Sequence, residues 1–96
     1  MKILKYVMTN GGNVDLGQAD QVFDIPGLLE PLHVGMQNGK VTLWVTTEET
    51  KSFFPYRLSV KIIGTGRNTP DSHDYLGTVM DGEYVWHVFT AINYKL

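Results

Sequence analysis

Ninety-six residues suffice for one domain that buries somewhat under ~70% of its unfolded surface, with one core and no room for a second. Apolar residues at 43% and charged residues at 19% exclude wholesale disorder. A formal charge of −2, with eight Lys and Arg scattered along the chain, leaves no electrostatic footprint for duplex nucleic acid, and a chain without cysteine has neither disulfides nor thiolate chemistry.

Lys2 opens the chain as in an export signal, but Lys5 and Tyr6 interrupt the apolar run, and no apolar stretch nears the ~20 residues of a spanning helix. The expectation is a protein that is neither exported nor held in a membrane, and a reducing cytosol suits its composition. A period of two runs through almost the whole sequence, which predicts an all-β fold.

In chain order, "MKILKYVMT" is the first strand and ends at "NGGN", where Asn10, Gly11 and Gly12 tolerate positive φ. Val22, Phe23 and Ile25 form a short second strand, stopped by Pro26-Gly27. Gly27 to Glu30 has room for one helical turn, which Pro31 keeps from growing.

Asn38-Gly39 in "LHVGMQNGKVTLWV" is a type I′ hairpin signal, because both central residues of that turn need positive φ. Counting outwards pairs Gln37 with Lys40, Met36 with Val41, Gly35 with Thr42, Val34 with Leu43 and His33 with Trp44. Leu32, Val34, Met36, Val41, Leu43 and Val45 then share a core face, with His33 and Trp44 as a cross-strand pair on the other. The segment "YRLSVKIIG" alternates Leu58, Val60 and Ile62 against Ser59, Lys61 and Ile63, a further strand entered past Pro55.

Asp81-Gly82 predicts a second hairpin, in which Val79 faces Tyr84, Thr78 faces Val85, Gly77 faces Trp86 and Leu76 faces His87. Gly77, Val79, Tyr84, Trp86 and Val88 share one face, with the indole of Trp86 over Gly77; Leu76, Thr78, Val85, His87 and Phe89 share the other. About seven short strands without a repeat or linker fit a small antiparallel sandwich or barrel.

No catalytic residue, metal ligand set or cofactor is assigned. His33, His73 and His87 offer only chance pairings with Ser52, Ser59 and Ser72, and no serine sits in a nucleophile elbow. Asp71, His73 and Asp74 mix oxygen and imidazole donors, but a solvated loop is the commoner use of such a run. The turn Gly64-Thr65-Gly66-Arg67 is the best single candidate for a ligand contact. It follows a strand, its amides suit an anion, and Arg67 is a fork-shaped partner for phosphate. It is neither a Walker loop nor a dinucleotide fingerprint. Trp44, with His33 beside it, lies off the core face and needs a cover, which a subunit or a stacked base would supply, and Trp86 is a second stacking candidate.

The combination "GMQNGKVTLWV", "KIIGTGRNTP", "YLGTV" and "GEYVWHVF" resembles a family of short, uncharacterised proteins encoded by bacteriophages and prophages. The likeness runs over most of the chain and differs at Arg67, where members often carry His. It implies a phage setting and a location in the host bacterial cytoplasm, with no activity attached. The expected function is therefore non-enzymatic: an anti-defence protein sequestering a small anionic ligand such as a signalling nucleotide, held by Gly64, Thr65, Gly66 and Arg67 with Trp44, His33 or Trp86 on the base. A homo-oligomer would supply the concave surface that one small domain lacks. Inhibition of a host protein, or a minor place in the virion, are the alternatives.

Overall fold

The computed structural model describes residues 1–8, 21–51 and 56–94. Within them lie seven strands: β1 (Lys2–Val7), β2 (Gln21–Asp24), β3 (Leu28–Gln37), β4 (Lys40–Thr47), β5 (Tyr56–Gly64), β6 (Asp74–Asp81) and β7 (Tyr84–Tyr94), with one 3₁₀ turn at Glu49–Lys51. They form two antiparallel sheets, ordered β1-β4-β3 and β2-β5-β7-β6. The expected all-β architecture is what the chain adopts.

The two sheets face each other across the apolar positions of alternating strands. Leu43 and Val45 of β4, Leu58 and Val60 of β5, and Val88 of β7 are completely buried between them. Each such side chain contributes about 1.5–3 kcal/mol relative to exposure. At one side of the sandwich the edge strands β1 and β2 meet through Tyr6 and Phe23, whose ring centroids lie 5.2 Å apart. At the other, Gly77 of β6 comes against Val34 of β3, so close that a Cβ on Gly77 would stand 2.8 Å from Cγ1 of Val34.

The first hairpin follows the expected count from Gln37–Lys40 to His33–Trp44, and both Asn38 (φ 52°) and Gly39 (φ 75°) are left-handed, as a type I′ turn requires. Past His33 the register slips, once between Pro31 and His33 and again between Leu28 and Glu30. Pro31 has no N–H for the ladder and is accommodated because β3 is a sheet edge. The slip leaves Leu32 without a partner and 44% exposed, which corrects its expected place in the core.

No helical turn forms over Gly27–Glu30. Pro26 and Gly27 (φ 72°) are the central residues of a turn closed by the Leu28 N–H donating to the Ile25 carbonyl at 3.3 Å, the type II pattern with Pro first and Gly second. Leu28 leaves that turn already in β3.

The second hairpin is displaced by one residue at its turn. Asp81 pairs with Tyr84, so the loop is Gly82-Glu83 with only Gly82 (φ 60°) left-handed, the type II′ pattern. Val79 therefore lies opposite Trp86, and Thr78 opposite His87. Each pairing moves by two positions, an even number, so the faces stay as expected with one exception. A bulge between Tyr75 and Gly77 turns Leu76 onto the core, against which it packs. Trp86 covers Gly64 rather than Gly77: Gly64 is its partner in β5, and Cζ3 of the indole lies 3.6 Å from where a Cβ would stand.

Candidate functional site

The outer face of the four-stranded sheet carries the candidate site. Alternation sends Ile63 of β5 and His87 and Phe89 of β7 away from the core, and Ile63 pairs directly with His87. At the end of β5 the chain reverses through Gly64-Thr65-Gly66-Arg67, closed by the Arg67 N–H donating to the Gly64 carbonyl at 3.3 Å, with Gly66 at φ 92°. This is again a type II turn, and its second central position demands glycine. The turn, with Thr69, Tyr75, Ile63, His87 and Phe89, encloses a hollow of about 260 Å³.

Its floor is apolar and its rim polar. Phe89 is nearly buried beneath, and Tyr75 stands edge-on to it, the ring centroids 5.6 Å apart at 65°. Thr65 Oγ1 lies 2.8 Å from Nε2 of His87, whose Nδ1 is 2.9 Å from Thr78 Oγ1, itself 2.6 Å from the Tyr75 hydroxyl. Both imidazole nitrogens are thus engaged by threonine hydroxyls.

The charges are lopsided. Among the described residues no carboxylate lines the hollow. Of the two arginines, Arg57 is paired with Asp24 at 3.2 Å, whereas the Arg67 guanidinium is exposed and has no partner among the described residues. The amide of Arg67 is spent on its own turn, so from that residue the contact available to an anion is the side chain. A second cavity, of about 420 Å³ at the β3–β6 seam, carries Glu30 and Asp74 instead and is unsuited to anions.

Gly64, Thr65, Gly66 and Arg67 all line the hollow; Trp44, His33 and Trp86 do not. His33 and Trp44 form the expected pair, 5.8 Å between ring centroids, on the outer face of the three-stranded sheet, where both reach over Gly35. Trp86 is on the inner face of its own sheet, stacked on Tyr84 at 5.7 Å and 12°. Tyr75, His87 and Phe89 are lining residues that sequence reasoning did not assign to a site. The available signal was their shared face beside the end of β5, visible only once β5 is known to pair with β7.

His73 sits between two serines, with Nε2 2.9 Å from Ser59 Oγ and Nδ1 2.8 Å from Ser72 Oγ. Ser59 is only 5% exposed and, among the described residues, no carboxylate orients the ring, so the trio lacks the access and the acid of a hydrolytic triad. Ser52 lies outside the described residues. Among the described residues no three His, Asp or Glu side chains converge as a metal site, and no helix is long and apolar enough to cross a membrane.

A family model described as Domain of unknown function (DUF7352) matches residues 2–95. No curated protein and no solved structure matches the chain.

Proposed function

Since the chain belongs to the DUF7352 family of domains of unknown function, we propose its function from the hollow itself: the protein binds a small phosphorylated ligand without turning it over. The observation that carries this reading is the guanidinium of Arg67, unpaired among the described residues, on the rim of a hollow that has an aromatic floor and, among the described residues, no carboxylate. Arginine is the side chain best matched to the oxygens of a phosphate, and Tyr75 and Phe89 offer apolar surface to a base or sugar. At about 260 Å³ the hollow is smaller than the ~300–1,000 Å³ usual for drug-sized ligands. It suits one phosphate with part of one nucleoside, and a larger signalling nucleotide would extend past the rim or onto a second subunit.

In this reading the ligand is a signalling nucleotide, the protein a phage-encoded homo-oligomer that sequesters it in the host cytoplasm and so blunts a defence response. The phage setting is supported by the sequence resemblance, and sequestration by the lack, among the described residues, of a nucleophile and acid arranged for turnover. The test is thermal unfolding with a panel of cyclic and linear nucleotides, followed by recovery of the ligand after heating. A ligand present at ~100 times its dissociation constant stabilises the fold by roughly 2.7 kcal/mol. A shift with intact ligand supports the proposal; altered ligand would make the protein an enzyme.

One observation favours a second reading, an inhibitor that docks on a host protein. The edge strand β1 leaves Ile3 64% exposed, with Leu4 and Val7 also uncovered. A stable complex recovered with a host enzyme, insensitive to nucleotides, would support it.

A further inference from the structure

Resting on the reading of the hollow as an anion site, we infer that anion binding takes up a proton at His87 and that Thr65 then presents its hydroxyl to the anion. His87 is the one titratable side chain of the hollow whose two polar atoms are both held by hydroxyl groups, Thr65 at 2.8 Å and Thr78 at 2.9 Å. A neutral imidazole has one N–H and one lone pair, so one threonine donates to it while the other accepts. An imidazolium has two N–H groups, and both threonines accept. Protonation turns round the one hydroxyl that had donated to the ring, so that both hydrogens now point elsewhere, that of Thr78 towards the Tyr75 oxygen at 2.6 Å and that of Thr65 towards the hollow. Hydroxyl groups rotate freely, so the proton is accommodated with every heavy atom in place.

The surrounding charges decide when the proton stays. Sharing the hollow with His87 are Arg67 from the turn and the phenol of Tyr75 from β6, while β5 places Ile63 opposite it and Lys61, which has a partner of its own, one step further along the same face. An anion beside Arg67 brings negative charge next to the ring and favours the imidazolium. By reciprocity, protonation of His87 tightens the anion by the same factor that the anion favours the proton.

The experiment uses sulfate, which stays doubly charged from pH 5 to 8, so that any proton taken up belongs to the protein. Side-chain NMR of the three histidines is followed against pH in sodium sulfate and in sodium chloride of equal ionic strength, together with the backbone amides of Thr65 to Arg67. The half-protonation pH of His87 rises in sulfate while those of His33 and His73 do not. A rise of one unit corresponds to binding about tenfold tighter at the acid end. His87→Gln, which keeps hydrogen-bonding capacity without titrating, binds sulfate with no pH dependence. Saturable amide shifts at the turn with an unmoved His87 would overturn the proton linkage alone. No saturable shift at the turn would overturn the anion site as well.

Discussion

The substitution Gly77→Ala probes how tightly the two sheets meet. Gly77 lies on β6 facing β3, and a Cβ there would stand 2.8 Å from Cγ1 of Val34. Two carbons prefer ~3.5–4.0 Å, so the sheets would have to part locally by at least ~0.7 Å. Val34 is only 5% exposed and its branched side chain has little rotamer freedom with which to yield. Overpacking of this kind costs about 1–3 kcal/mol, offset by the ~0.5–1 kcal/mol that alanine regains over glycine in a strand. The expected net loss is up to about 2.5 kcal/mol and near ~1 kcal/mol at mid-range, or roughly 4–8 °C in Tm per kcal/mol for a domain of this size. Val34→Ala alone costs about 1.5–3 kcal/mol of lost burial. In the double variant the new methyl fills part of the vacated space, so the two costs sum to about 1–2 kcal/mol less than additivity. Urea unfolding of the four proteins, followed by circular dichroism, measures the cycle. Strict additivity of the two substitutions would refute the contact.

Two further outcomes follow from the turns and the buried phenol. Gly27→Ala and Gly39→Ala both force alanine into positive φ, costing ~1–2 kcal/mol. At Gly39 the space is open, whereas at Gly27 the methyl meets the backbone carbonyl of Glu48, so thermal melts should show the larger loss at Gly27. Burial pushes the Tyr6 phenol above its ordinary value of 10.0. Because the folded value is the higher one, this contribution to stability is full below about pH 10 and is lost as pH rises through the folded value. Tyr6→Phe keeps the contact with Phe23 and should flatten that alkaline loss in pH-dependent urea titrations.

The sequence was most legible where structure is local. Asn38-Gly39 determined a turn type and five residue pairs, because two adjacent residues that tolerate positive φ leave only one hairpin geometry. Around Gly82 two windows compete, Asp81-Gly82 for a type I′ turn and Gly82-Glu83 for type II′. They share a glycine and yield the same faces, so hydrophobic pattern cannot separate them. What differs is the cross-strand partner of each residue, and β7 is also tied to β5 over nine pairs. Leu32 misled for a similar reason: its alternation is correct up to the slip at Pro31. The Gly64–Arg67 turn was legible because glycine spacing marks it. The rest of the hollow was not, since His87 lies more than twenty residues from Thr65 and reaches it only through the β5–β7 pairing.

Amide NMR during titration with inorganic pyrophosphate asks whether the hollow beside Arg67 is an anion site. An anion site there gives saturable shifts confined to Gly64–Thr69, Tyr75, His87 and Phe89, with affinity falling at least tenfold in Arg67→Ala while that variant melts as the wild type does. Shifts that do not saturate, that gather instead around His33 and Trp44, or that persist undiminished in Arg67→Ala would contradict it.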